Sequence, residues 1–318
     1  MSRAPSGGGL VALALAGAIA TTSRADELEV LPVQGNVYMI AGGGGNTTVQ
    51  IGPEAVVVVD TKTGAVADQL LEAIRKLSSK PIRHVIVTSV DPDHTGGNQR
   101  LSSAGTYVRL LDTFDPRGAN THASIMAHVS VLERMSGPSG SEAPIAAGAW
   151  PSDTYFTADW ALHVNDEGIQ LMHVPAAHTD GDTMVFFRRS DVISTGDIFM
   201  TTGYPRFDPE QGGSVAGILD GLNRVLELAI AGENQTGGTA IVPGHGRISD
   251  ETEVANYRDM ITIVRDRVAA LVATGMTLGQ VLAARPSSDY DGIYAGLGGP
   301  TPEQFVTALY RDLKGARP

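Results

Sequence analysis

The chain has 318 residues, 42% hydrophobic and 18% charged, enough apolar material for one large domain with a sizeable core. Its formal net charge is −12 and no Lys/Arg cluster is dense, which argues against nucleic acid as a partner, since phosphate backbones repel such a surface. There is no cysteine, which excludes disulfides, a lipidated cysteine anchor and a cysteine nucleophile.

Residues 1–25 read as a signal peptide. Arg3 gives a weak positive start, Leu10 to Ile19 is an apolar run of signal-peptide length, and Ser23-Arg24-Ala25 offers small residues at the positions a signal peptidase reads. Ala18-Ile19-Ala20 is a second option for cleavage. The run is too short to span a bilayer, so no stable membrane anchor is expected, and the expected location is periplasmic or secreted. Removing this segment takes away Arg3 and Arg24 and no acid, leaving −14.

Strands are predicted at Val37 to Ile40 and Val49 to Ile51, separated by the Gly42–Gly45 turn. Ala55 to Asp60 is a continuous apolar run ending in an acid, the pattern of a strand buried on both faces. Val66, Leu70, Leu71, Ile74 and Leu77 then form a helical stripe, and His84 to Thr88 is the next buried strand. Ala123 to Met135 is predicted helical, and Ser136 to Ala149 is a loop rich in Gly, Pro, Ser and Ala. Strands return at Gln170 to Val174, Met184 to Phe187 and Val192 to Ser194, the last two as a hairpin. A helix over Ala216 to Leu228 and a strand over Thr239 to Val242 lead into the turn Pro243-Gly244-His245-Gly246. From 251 onward the chain reads as helix, with capping boxes at Thr277/Gln280 and Thr301/Gln304. The domain reading is therefore 26–250 for the main unit and 251–318 for a helical extension packed on it.

The side chains that carry chemistry sit where buried strands end: Asp91, Asp93 and His94, then His178 and Asp197, then His245. Imidazole and carboxylate are the ligand types for zinc, iron and manganese, although each loop alone is a weak signal. Together they form a series. D-P-D-H-T-G-G-N at 91–98 is followed by A-A-H-T-D-G-D at 176–182, S-T-G-D at 194–197 and V-P-G-H-G at 242–246. In that order the motifs resemble the metallo-β-lactamase superfamily over about residues 30–250, and Y-R-D-M and Y-R-D-L at 257–260 and 310–313 are similar to secreted members of it. The resemblance implies an α+β fold, a four-layer αβ/βα sandwich with a metal centre at its edge. It further implies metal-assisted hydrolysis of a small-molecule ester, thioester, lactone or amide, β-lactams included.

One departure from the family pattern bears on the metal. Where the family has H-x-H-x-D-H, this chain reads Ser89-Val90-Asp91-Pro92-Asp93-His94, so two first-site histidines are replaced. Three readings stay open. One zinc ion binds Asp93, His94 and His245, with Asp197 as fourth ligand or bridge; a single-zinc subclass of the family likewise lacks a first-site histidine. Alternatively Asp91 joins His178 and Asp197 as a ligand, giving a second ion in a harder site that suits iron or manganese. The diiron branch similarly has a carboxylate at the position of Asp91, but keeps a histidine at that of Ser89. In the third reading the site is vestigial and the protein is a non-catalytic metal- or ligand-binding protein. If it is an enzyme, Asp93 orients or deprotonates the water and His178 holds the oxyanion or a proton.

Other residues have plainer explanations. Of the remaining histidines, His84, His122, His128, His163 and His173, the first and last lie inside strands and read as core or surface residues, whereas His128 is a candidate for the substrate side. Asp60 matches a structural acid of the family. Gly42–Gly45 lacks the Lys-Ser/Thr pair of a phosphate loop, and no G-x-S-x-G nucleophile motif occurs. Tyr204 and Arg206, shortly after Asp197, could contact an anionic substrate, but read more simply as surface loop residues. Oligomeric state leaves no mark on the sequence.

Overall fold

The computed structural model describes Met1 and residues 27–106, 122–139 and 141–315. The leader expected over residues 1–25 lies, Met1 apart, outside them. In chain order, β1 (Glu29–Gln34), β2 (Val37–Ala41), β3 (Thr47–Ile51), β4 (Val56–Val59), β5 (Ile82–Ile86), β6 (Ser124–His128) and β7 (Asp153–Tyr155) form one seven-stranded sheet in that spatial order. Pairing is antiparallel from β1 to β4 and parallel from β4 to β7. The second sheet runs β12 (Ala240–Val242), β11 (Val192–Ser194), β10 (Thr183–Phe187), β9 (Glu167–His173), β8 (Asp159–Val164), with only β11 and β12 parallel.

Alternation along buried strands divides the interior into three apolar layers. On β4, Val57 and Val59 point between the sheets, where they meet Ile169 and Leu171 of β9 and Val185 and Phe187 of β10. Val56 and Val58 point the other way, onto α1 (Ala67–Leu77) through Leu70, Leu71 and Ile74. Each such fully buried side chain contributes roughly 1.5–3 kcal/mol of burial free energy. Two short helices, α2 (Pro92–Thr95) and α3 (Asn98–Ala104), follow β5, and α4 (Val129–Ser136) follows β6. Outside the second sheet, Met172, Met184 and Ile193 pack with Leu222 of α5 (Val215–Leu228) and with Val254, Ile261 and Val264 of α6 (Glu251–Ala273). Helix, sheet, sheet, helix: the α+β four-layer sandwich expected from the sequence is the architecture observed.

The helices α7 (Leu278–Ala284), α8 (Asp291–Tyr294) and α9 (Pro302–Leu313) complete the C-terminal segment, and Phe305, Val306 and Leu309 of α9 join the outer core of α5 and α6. Both capping boxes form, with Thr277 and Thr301 accepting from the N–H groups of Gln280 and Gln304. Among the described residues no helix is long and apolar enough to cross a membrane.

Two sequence expectations fail. Tyr204, read as a surface loop residue, is fully buried because its ring packs on Phe305 and its hydroxyl donates to Asp291 at 2.9 Å. The segment predicted as a helix over Ala123 to Met135 is the strand β6 followed by α4, and His128 is the N-cap of α4 instead of a residue on a helix face. All five β6 residues are buried, so its pattern is continuous and carries neither the two-residue nor the 3.6-residue period. Parallel pairing to β5 and β7 decides the matter, and both partners are distant in sequence.

Candidate metal centre

The site is built at the carboxyl ends of β5, β9, β11 and β12. After β5 the chain turns at Asp91 into the single turn of α2, where Pro92 sits at the first helical position and Asp93 and His94 follow. The carbonyl of Asp91 accepts the N–H groups of His94 and Thr95 at 2.9 and 3.1 Å. Thr61, just past β4, donates its N–H to the His94 carbonyl at 2.7 Å, and its hydroxyl donates to Asn98 at 2.8 Å, which fastens the whole D-P-D-H-T-G-G-N segment.

Asp60 fixes the His94 ring. Its carboxylate accepts the Thr88 N–H at 2.8 Å and the Thr88 hydroxyl at 2.5 Å, and lies 2.7 Å from His94 Nδ1. With Nδ1 so engaged, His94 Nε2 is turned inward toward Asp197 Oδ1, 3.2 Å away. Both atoms are buried and neither has a hydrogen-bond partner. Such a pair in a dry site needs a proton or a metal cation between the two atoms, and a buried imidazole facing a carboxylate is a donor set that fits a metal ion.

The other ligand types gather around the same carboxylate. His245 Nε2 lies 3.3 Å from Asp93 Oδ2 and 3.3 Å from Asp197 Oδ1. On the opposite side, His178 Nε2 is 3.6 Å from Asp91 Oδ2 and 3.9 Å from Asp197 Oδ2. Asp93, His94 and His245 thus form one group whose ligand atoms lie within 4.8 Å of one another, and Asp91, His178 and Asp197 form a second. Asp197, in a 3-10 turn after β11, stands between them with one oxygen toward each. All six residues singled out in the sequence are brought together.

Electrostatics carry the same message. Burial opposes a charged His94, yet Asp197 and Asp60 outweigh it and hold its pKa well above the usual imidazole value. Burial likewise opposes charge on His178, but Asp182, Asp197 and Asp91 raise its pKa to about 9. Burial raises the Asp91 pKa, while Asp93, although partly buried, is held low by His245 and His94. Asp197 is held far below the carboxylate range despite burial, mainly by His94 and then by His178 and His245. The pocket concentrates acceptors that demand positive charge, which is what a cation site requires.

Exposure orients the centre. His94, His178 and Asp197 are essentially buried, whereas the side chains of Asp91, Asp93 and His245 are 19, 27 and 25% exposed. The solvent-facing edge of the centre is therefore formed by Asp91, Asp93 and His245. Ser89, standing where the family has a histidine, is buried with its hydroxyl 3.4 Å from His178 Nδ1, on the side of the ring away from the ligand group.

Three supporting residues are not singled out by sequence. Lys62 is fully buried and donates from Nζ to the carbonyls of Ile40 and Gly45 at 2.8 Å each. Burial lowers its pKa to about 7, and Asp60 offsets this only in part. Gly45, on the turn read as mere punctuation, passes so close to His94 that a Cβ there would meet the ring at 2.8 Å. Asn46 donates its N–H to the Gly244 carbonyl at 2.7 Å and its amide to the carbonyls of Pro243 and Gly246 at 3.0 and 2.9 Å, latching the His245 turn. No local pattern marks these roles. His128, the substrate-side candidate, lies outside both ligand groups, stacked on His173 with ring centroids 3.5 Å apart.

Fold and site together define a sandwich protein with a His/Asp centre arranged about one shared carboxylate. The chain belongs to the metallo-β-lactamase superfamily: residues 31–245 match the family described as Metallo-beta-lactamase superfamily. Among solved structures it is similar to the stereoselective inverting sec-alkylsulfatase Pisa1 from Pseudomonas sp., with a TM-score of 0.61 and 15% identity, covering 89% of this chain and 50% of that one. It is similar also to the metallo-beta-lactamase from Pontibacter korlensis, with a TM-score of 0.55 and 13% identity over 74% of this chain and 99% of that one. For DIM-1 metallo-beta-lactamase the TM-score is 0.54, with 17% identity over 74% and 97% of the two chains. The chain spans about half the length of the alkylsulfatase, and at these identities the likeness speaks for the fold alone. A search among curated proteins gives no match.

Proposed function

We propose that the protein is a metal-dependent hydrolase of a small molecule, with two ion positions that share Asp197. The supporting observation is the placement of that carboxylate, one oxygen toward His94 and His245 and the other toward His178. Asp93, His94, His245 and Asp197 would hold one ion, in zinc-like chemistry. Asp91, His178 and Asp197 would hold a second, with the oxygen-rich character that favours manganese or iron. What an ion supplies in such a site is Lewis acidity, lowering the pKa of water from about 15.7 toward ~7 and offsetting charge on the substrate oxygen.

The residues of the chain do the rest. Asp60 locks the His94 ring, and Asp182, which accepts the Thr179 N–H at 2.7 Å, lies 3.8 Å from His178 Nδ1 and steers that ring. Asp93, at the exposed mouth and held ionised, is placed to take a proton from water. The bond cleaved is an ester, thioester, lactone or amide, and sulfate esters join the panel through the likeness to the alkylsulfatase. Export directed by residues 1–25 belongs to the same proposal and is checked by N-terminal sequencing of the fractionated protein.

Metal content of protein purified without added metal is the deciding experiment. About two equivalents, falling to one in Asp91→Ala and to none in Asp197→Ala, are expected, with hydrolysis of a panel member lost in Asp93→Ala. One equivalent unaffected by Asp91→Ala refutes the second position. Hydrolysis unchanged in Asp93→Ala, His94→Ala and His245→Ala refutes the metal-dependent reading, and full loading with no hydrolysis turns the assignment to a binding protein.

A further inference from the structure

The C-terminal helices leave a cavity of about 560 Å³ against the two loops that bear Asp197 and His245. Its wall includes Phe199, two residues past Asp197, and Arg247, two residues past His245. The loops are joined at this point: Thr201 donates its N–H to the His245 carbonyl at 3.0 Å, and Met200 pairs with His245 in a parallel bridge. From the extension come Tyr257 and Met260 of α6, Ile293 and Tyr294 of α8, and Leu297 just beyond. The volume lies within the ~300–1,000 Å³ of small-molecule sites.

Two features mark a binding cavity. Ile293 and Leu297 stay 63 and 52% exposed, an apolar pair that an occupant would cover. Charge on the wall is already paired: Arg247 with Glu253, and Asp259 with Arg258. That leaves no surplus cation on the described wall to hold an anionic group.

We propose that this cavity is the subsite for an uncharged, apolar arm of the substrate. The inference rests on the hydrolase reading only for where the reacting bond lies, beside the cavity over Asp93 and His245. Substrate choice would then reside in the C-terminal extension, and the chemistry in the sandwich.

The test is a fluorescence titration of the metal-loaded full chain with N-phenyl-1-naphthylamine, a neutral apolar dye. Saturable binding of one equivalent is expected, weakened at least tenfold in Ile293→Glu and in Asn256→Trp. Both substitutions are at exposed positions on the cavity wall. In p-nitrophenyl esters the preference for octanoate over acetate, read as a ratio of kcat/KM, should fall at least tenfold in the same variants. Absence of saturable dye binding, or equal affinity in wild type and both variants, overturns the proposal. The dye needs no turnover, so variant-sensitive binding by a chain that hydrolyses nothing upholds the cavity and overturns the hydrolase reading.

Discussion

Lys62 offers a sharp quantitative test. Its ammonium is enclosed between the Ile40 and Gly45 carbonyls, and burial lowers its pKa from 10.5 to about 7. In the unfolded chain the same amine keeps its proton up to about pH 10.4. Between those values the unfolded state binds more protons than the folded one, so stability rises with pH across the window and levels off above it. From pH 7 to pH 9 the gain amounts to about 2 kcal/mol, a sizeable part of a total of roughly 5–15 kcal/mol. Lys62→Met keeps most of the length of the side chain and removes the titration. Urea unfolding of both proteins at pH 7, 8 and 9 gives a stability difference from which every shared titrating group cancels. That difference should shift in favour of the wild type by about 2 kcal/mol over the range. A flat difference would show that Lys62 keeps an ordinary pKa and that its enclosure costs the charge little.

Three further outcomes are expected. Asp60→Ala strips three contacts from Thr88 and His94, and should cost about 3–5 kcal/mol and lower metal affinity roughly 10–100-fold, read by thermal melting and chelator competition. Gly244→Ala places a Cβ 2.3 Å from Asp197 Oδ1 and 2.7 Å from the Gly196 carbonyl, so ions should be lost from both positions while far-UV circular dichroism keeps its shape. Thr301→Ala removes the cap of α9 and should lower stability by about 1 kcal/mol with metal content unchanged, showing that the cap and the centre are energetically separate.

What the sequence discloses follows the range of the interactions involved. The Val56–Val59 run and the two capping boxes are legible because each is set by residues within a few positions of one another. β1 and β8 escape because they are edge strands with mostly exposed or half-buried residues, and three-residue β7 is too short to show a period. The ligand residues are legible as types at strand ends, and their order gives the family. How they divide is not: whether Asp91 reaches His178 depends on how α2 turns against the loop after β9, a contact between segments on different sheets. Lys62 and Gly45 belong to the same class, since a lysine after a buried strand reads as a surface residue until the carbonyls that receive it are placed.

The latch between Asn46 and the His245 turn joins positions about two hundred residues apart. A ribosome that has just released β1 to β4 must still make most of the chain before that latch can close. Throughout synthesis the inward face of the first sheet, with Val57, Val59 and Ile86, awaits the strands that will cover it. Pairing over such separations is slow and leaves sticky surface open. Yield on expression should therefore depend on chaperone supply and temperature more steeply than the stability of the finished protein would suggest.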